Sequence, residues 1–246
     1  MTFSAIRAYL WIAPQIIVST AVHGSINLIT ALWDKDGAIQ LRIARHWARS
    51  LVKAAGIRLT INGLEKILPG RSYVFVCNHV SYMDTPVVLG HIPANFRFMA
   101  KQELFKIPFI GWHLERAGHI AVPLDDPRAA LKVLSSAGTM MRERGLSVLV
   151  FPEGGRSESG VMQPFKEGAA YLAIKGGVPV VPLGIIGIRD VLPMHSSHVR
   201  PGPVTLNIGD PIPVDGLTTA ARADLTGRLF EEVARLSGQW RPPEAA

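Results

Sequence analysis

The sequence predicts an α/β protein: a central, mostly parallel sheet flanked by helices, preceded by N-terminal helices that associate with a membrane. Three observations carry this expectation. From Ile57 onward, short runs rich in Val, Ile, Leu and Phe alternate with helix-like stretches. Ala8–Trp33 is a run of 26 residues without an acidic or basic side chain. Between them, Ile39–Ala55 carries one apolar and one basic face. The expected organisation is residues 1–56 as a membrane-associated helical segment and residues 57–246 as the sheet-and-helix domain.

As a helix, Ala8–Trp33 would measure roughly 39 Å, enough to span a bilayer. Pro14, Gln15, Ser19, His23, Gly24, Ser25 and Asn27 interrupt it, so three readings stay open: a spanning helix, a monotopic helix in one leaflet, and a signal peptide. The overlong apolar stretch and the lack of an A-x-A site argue against the last. A buried helix of a soluble protein is a further alternative. Asp34-Lys35-Asp36-Gly37 then forms a polar break.

In Ile39–Ala55, Arg42, Arg45, His46, Arg49 and Lys53 fall within an arc of about 100°, opposite Ile43, Ala44, Trp47 and Leu51. Such a helix suits the membrane interface, with its cations on anionic headgroups, or the surface of the protein's own core. The formal charge is +7. Residues 1–60 hold seven basic and two acidic residues, a net +5 of that total. A basic, apolar N-terminal quarter points to an anionic membrane surface. No block interleaves cations with aromatic side chains, which argues against nucleic acid as a partner. Positive charge following the apolar segment favours the cytoplasmic side for the rest of the chain. The lone Cys77 excludes an intramolecular disulfide.

Gly56 closes the second helix. Strands are then expected at Ile57–Ile61, Tyr73–Cys77, Phe96–Ala100, His119–Val122, Leu146–Phe151, Val178–Gly184 and Val204–Ile208. Helices are expected at Pro86–Gly90, Gln102–Phe105, Pro108–Ala117, Pro127–Arg144, Lys166–Lys175 and Thr218–Gly238. The tail Gln239–Ala246, with Pro242-Pro243, is expected to fray.

Chemistry concentrates in two stretches. Tyr73–Asp84 reads YVFVCNHVSYMD, a strand that stops at Asn78-His79, with Asp84 five residues beyond His79. On a continuous helix those two side chains would stand about 140° apart and could not touch. A turn after the strand would fold Asp84 back towards the imidazole, where a carboxylate on one ring nitrogen leaves the other as a base. The second stretch, Phe151–Ser157, reads FPEGGRS after another apolar strand. Pro152 ends that strand, Gly154-Gly155 allows close backbone approach, and Arg156 offers a planar fork for an anion.

Together the two stretches resemble the H-x4-D and F-P-E-G-x-R-S blocks of the 1-acylglycerol-3-phosphate acyltransferase family of glycerolipid acyltransferases. Lys101-Gln102-Glu103-Leu104 with Pro108 and Gly111 is similar to the family's K-x-E-L and P-x-x-G segment, and Val178–Leu183 to its V-P-x-x-P strand. The resemblance covers roughly residues 57–210 and implies a glycerolipid acyltransferase-like fold with residues 57–246 as catalytic domain. It implies that His79 is the base and Asp84 its orienter, and that Lys101, Glu153, Gly154 and Arg156 bind the acceptor. It also implies transfer of a fatty acyl group from acyl-CoA or acyl-ACP, a co-substrate and not a resident cofactor, to a lysophospholipid, chiefly 1-acylglycerol 3-phosphate. Acyl carrier protein is then a candidate partner. Two departures stand out. Gly155 occupies a position usually held by Thr. Pro123 stands where the family's I-D-R sequence places an Arg that contacts the acceptor phosphate, which opens the way to another lysolipid acceptor.

No G-x-S-x-G elbow is present, so direct transfer without a covalent acyl-enzyme is expected. The histidines form no metal set. Two other readings remain: a hydrolase or transferase using the same pair on other esters, and a non-catalytic membrane-surface binding module.

Overall fold

The computed structural model describes residues 6–34, 37–108 and 110–239. Lys35 and Asp36 of the expected polar break, Phe109, and the tail beyond residue 239 lie outside them.

Seven strands form one sheet in the order β1-β7-β6-β2-β5-β3-β4. They are β1 (Ile57–Asn62), β2 (Val74–Cys77), β3 (Phe96–Lys101), β4 (Ile120–Val122), β5 (Ser147–Val150), β6 (Val180–Ile186) and β7 (Gly202–Ile208). Every neighbouring pair is parallel except β6 and β7. All seven expected strands form, their ends shifted by no more than two residues.

A π-helical turn, Ala8–Ile12, runs directly into α1 (Ala13–Thr30), and α2 (Ala38–Ala54) follows. The remaining helices are α3 (Asp84–His91), α4 (Ile110–Arg116), α5 (Pro127–Arg144), α6 (Gly168–Gly176), α7 (Ile188–Val191) and α8 (Arg222–Leu236). The short α7 has no counterpart in the sequence expectation. The expected helix Gln102–Phe105 is a 3-10 turn, Gln102–Lys106, and the one expected at Thr218–Gly238 begins as a 3-10 turn, Thr219–Ala221. At α5 the start is set by Asp126, whose side chain accepts from the N–H groups of Arg128 and Ala129 at 3.0 Å. Gly145, in the left-handed conformation, ends it.

Side-chain alternation along β2 divides the core. Tyr73, Phe75 and Cys77 face a cluster shared with α2 and α3. Val74 and Val76 face the other cluster, with Met141 of α5, Leu172 of α6 and Val233 of α8. The exits of two adjacent strands therefore part: the chain leaves β2 for α3 on one face and leaves β5 for α6 on the other. The carboxyl ends of these two strands, where the exits part, are the usual place for a ligand in such sheets.

Helix α2 packs on the protein's own core, one of the two readings its faces allow. Leu41, Ala48, Leu51 and Val52 are buried in the core cluster. Of its basic flank, Arg45 donates to Ile92 O at 2.8 Å and Ala94 O at 2.5 Å, and Arg49 donates to Gly90 O at 2.7 Å. These two guanidiniums satisfy carbonyls at and just beyond the C-terminus of α3, so part of the basic arc serves the protein's own fold.

The helix Ala8–Thr30 behaves otherwise. Its 23 residues are long and apolar enough to cross a membrane, and only 11% of its most apolar 18-residue window is buried. Leu10, Trp11, Ile17 and Val18 are all more than half exposed. Its inner side is tied to α2 by polar contacts, with Trp47 Nε1 donating to Thr20 Oγ1 at 3.0 Å and Asn27 Nδ2 donating to Gln40 O at 3.1 Å. The two N-terminal helices and the sheet share one continuous core, through Ile12, Leu51 and Val52.

Candidate active site

His79 follows β2 directly, and its main chain is fixed from both neighbouring strands. On one side, Asn78 extends the pairing with β6: its Oδ1 accepts from Ile185 N at 2.8 Å and its Nδ2 donates to Ile185 O at 3.2 Å. On the other, His79 N donates to Glu153 Oε1 at 2.7 Å, and His79 O accepts from Ser157 N at 2.8 Å. Asn78 is wholly buried. In the sequence it reads only as the end of a strand, because nothing in a single Asn signals that its amide will imitate a backbone unit.

The turn after His79 brings Asp84 back. Asp84 Oδ2 lies 2.9 Å from His79 Nδ1 and accepts from Val80 N at 2.7 Å and Ser81 N at 2.8 Å. Asp84 is the first residue of α3 and is entirely buried, while His79 is 7% exposed. The carboxylate therefore has three donors on one oxygen at a helix N-terminus. With Asp84 accepting from Nδ1–H, the Nε2 lone pair is the open end of the ring. The imidazole stacks on Phe151 with ring centres 3.8 Å apart.

Burial is the main force on the imidazole and lowers its pKa from 6.5. The Asp84 hydrogen bond and charge oppose that shift, and Arg156 adds to it. The ring is thus neutral at pH 7 and able to accept a proton. Burial pushes the Cys77 thiol well up, helped by the charges of Asp84 and Glu153. Cys77 is a packed, unreactive side chain on the strand.

The F-P-E-G-G-R-S stretch forms the opposite wall. Glu153 is buried, and its two oxygens take separate backbone N–H groups, His79 N and Gln163 N, the latter at 2.8 Å. Burial pushes its carboxyl up to about 7, restrained by those two donors and raised further by Asp84. Gly154 has φ +78°, which only glycine adopts without strain. A Cβ placed at Gly155 would meet no atom within 4 Å, so the usual Thr would be accommodated and its absence costs no packing. Arg156 Nε donates to Ser81 O at 3.3 Å, and its guanidinium carbon stands 4.7 Å over the Tyr82 ring. Its two Nη groups have no hydrogen-bond partner among the described residues.

His79, Asp84, Glu153, Gly154 and Arg156 thus come together. Lys101 does not join them directly. It closes β3, which lies beside β5, and so stands exposed on the same edge of the sheet without a hydrogen bond or ion pair to the others among the described residues. Pro123 follows β4 on that edge.

An apolar cavity of about 570 Å³ lies between α1, α2, α4 and β3, walled by Leu28, Leu41, Trp47, Phe98 and Leu114 among others. Thr85, the neighbour of Asp84, is part of its wall, so the cavity reaches the helix that carries the carboxylate. Among the described residues no group of three His, Cys, Asp or Glu is placed to hold a metal ion.

Comparison with known proteins agrees with this layout. The family model described as Acyltransferase matches residues 58–186. The chain is 32% identical to a 1-acyl-sn-glycerol-3-phosphate acyltransferase of Chlamydomonas reinhardtii, over 97% of this chain and 74% of that protein. It is 30% identical to one from Pseudomonas aeruginosa, over 98% of this chain and 94% of that protein. Several longer plant relatives are spanned over 46% to 65% of their length. The crystal structure of the 1-acyl-sn-glycerophosphate acyltransferase PlsC from Thermotoga maritima superposes with a TM-score of 0.80 at 27% identity, covering 98% of this chain and 100% of that one. Sheet order, helix placement and sequence agree: the chain belongs to the acyltransferase family.

Proposed function

We propose that the protein esterifies the free hydroxyl of 1-acylglycerol 3-phosphate with a fatty acyl group from an acyl thioester, giving phosphatidic acid. The observation that carries this reading is the contact of 2.9 Å between His79 Nδ1 and Asp84 Oδ2 beside an arginine with free Nη groups. His79 Nε2 takes the proton of the acceptor hydroxyl as its oxygen attacks the thioester carbonyl. The tetrahedral centre collapses, the C–S bond breaks, and the proton passes from the imidazolium to the departing thiolate. The anion on Asp84 stabilises the imidazolium in between. Nothing becomes covalently attached to the protein.

Arg156 pairs with the acceptor phosphate through its two Nη groups, and Lys101 adds a second cation from the sheet edge. Glu153 and Gly154 shape the turn that presents Arg156. The cavity beside Thr85 suits an acyl chain, its walls being largely apolar. Residues 1–56 serve as the membrane-associated part and residues 57–246 as the catalytic part. The exposed apolar side of Ala8–Thr30 holds the enzyme in the bilayer, where a lysolipid is concentrated, with the catalytic part on the cytoplasmic side. Acyl-CoA and acyl carrier protein both present the required thioester.

The test is to incubate the full chain in lipid vesicles with labelled acyl-CoA or acyl-ACP and a panel of lysolipids. Labelled phosphatidic acid is expected as the main product. A product derived from a phosphate-free or choline-bearing acceptor in preference to it would overturn the reading.

A further inference from the structure

Lys166 stands outside the sequence blocks, and in the sequence it reads only as the start of a helix. Its backbone N–H donates to Pro152 O at 2.9 Å, which folds the chain after Ser157 back along the F-P-E-G-G-R-S turn. The side chain then lies on that turn. A Cβ built on Gly154 would meet Lys166 Cε at 2.9 Å and Nζ at 3.0 Å. The left-handed Gly154 therefore makes the room that an ammonium occupies, two residues from Arg156 and three from the Phe151 ring on which His79 stacks.

The charge on this ammonium is not spent. Among the described residues no carboxylate pairs with Lys166 and no hydrogen bond uses its Nζ. The three nearest acids along the chain are engaged elsewhere, Glu158 by His195 Nε2 at 3.2 Å. Glu167 is held by Arg222 Nε at 2.6 Å, and both oxygens of Glu153 are on backbone amides. Arg156 beside it has free Nη groups. Two uncompensated cations on one turn, next to a buried neutral imidazole, make a site for a dianion and not for a neutral headgroup.

We propose that Lys166 is a phosphate-binding residue of the acceptor site, closing a clamp with Arg156 to which Lys101 adds from the sheet edge. The inference rests on the reading of the acceptor as a phosphomonoester lipid, and it narrows the acceptor class: a terminal phosphate with two negative charges is matched, a zwitterionic headgroup is not.

Binding and turnover separate this inference from the reading beneath it. The full chain in detergent micelles is titrated calorimetrically with a short-chain 1-acylglycerol 3-phosphate, with the matching 1-acylglycerol as phosphate-free control. Lys166→Met is expected to weaken binding of the phosphate ligand about tenfold to a hundredfold, the worth of one charge-assisted hydrogen bond, and to leave the control unchanged. Lys166→Arg retains most of the affinity. In turnover, Lys166→Met raises the acceptor KM by a similar factor while the donor KM stays constant. Binding of the phosphate ligand by Lys166→Met within twofold of wild type overturns the inference, as does a wild type that binds both ligands equally. His79→Ala is expected to bind as wild type does and to lose turnover. If it keeps turnover while Lys166→Met loses binding, the base assignment fails and Lys166 stands.

Discussion

The backbone N–H of His79 donates to Glu153 Oε1 at 2.7 Å across 74 positions of sequence. The two motif-bearing turns are therefore joined through main chain, with Glu153 as the pin and Gln163 N on its other oxygen. Replacing Glu153 with Gln puts an NH2 group opposite one of two N–H donors, so one buried donor loses its partner. Glu153→Gln is expected to lower kcat at least tenfold and to raise the acceptor KM, with the fold retained by circular dichroism. Unchanged kinetics would remove Glu153 from the positioning of His79.

Removal of the base has a larger effect. His79→Ala is expected to reduce kcat by about 10² to 10⁴, the range for loss of a general base. Asp84→Asn keeps an oxygen for the three donors but removes the charge that supports the imidazolium and buries an unpaired NH2 group. It is expected to cost both activity and thermal stability, read from steady-state rates and a melting curve. A His79→Ala enzyme that transfers acyl groups at the wild-type rate would exclude the imidazole from the chemistry.

The pH dependence follows from the two shifted groups. His79 must be neutral to act, and burial puts its pKa below 6.5. The rate is therefore expected to hold at pH 7 and to fall only as pH drops through that lowered value. Glu153 is pushed the other way, from 4.5 up to about 7. A carboxyl with a raised native pKa adds stability below its unfolded value that is lost as pH rises through the native one. The stability difference between wild type and Glu153→Gln is thus expected to change between pH 4.5 and 7 and to be flat outside that window. Melting temperatures of the two proteins across that range measure it.

Cys77 is buried with its thiol pKa raised, so the intact enzyme is expected to resist N-ethylmaleimide and iodoacetamide. Mass spectrometry during turnover should find no acyl group on the protein. An acylated peptide containing Cys77 would replace direct transfer with a two-step route.

Ile17 and Val18 lie on the exposed side of α1, at 67% and 61% exposure. Replacing both with Asp is expected to release the protein from vesicles in a flotation assay without unfolding it, since neither contributes to the core. Retention on vesicles would assign anchoring to another surface.

Much of this was legible in the chain. Strands β2 and β5 show as β-branched and aromatic runs because both are buried on two faces, and the blocks that follow them carry the chemistry in plain view. The pairing of His79 with Asp84 was legible as a requirement for a turn, since a helix would part them. Other features depend on long-range contacts and leave no local mark. Arg45 and Arg49 look like headgroup ligands on a helical wheel, but the carbonyls they bind belong to residues more than forty positions away. Lys166 looks like a solvated helix start until the turn at Gly154 is folded beside it. The reading of Glu153 as an acceptor ligand came from resemblance, and its bonds to two backbone amides could be seen only with the strands side by side.

The clasp of Arg45 and Arg49 on the end of α3 has a mechanical outcome. That helix begins with Asp84 and ends in carbonyls gripped by α2, which is itself strapped to the exposed, apolar α1 through Trp47 and Gln40. A single two-turn rod thus joins the outer hairpin at one tip to the carboxylate that holds the imidazole at the other.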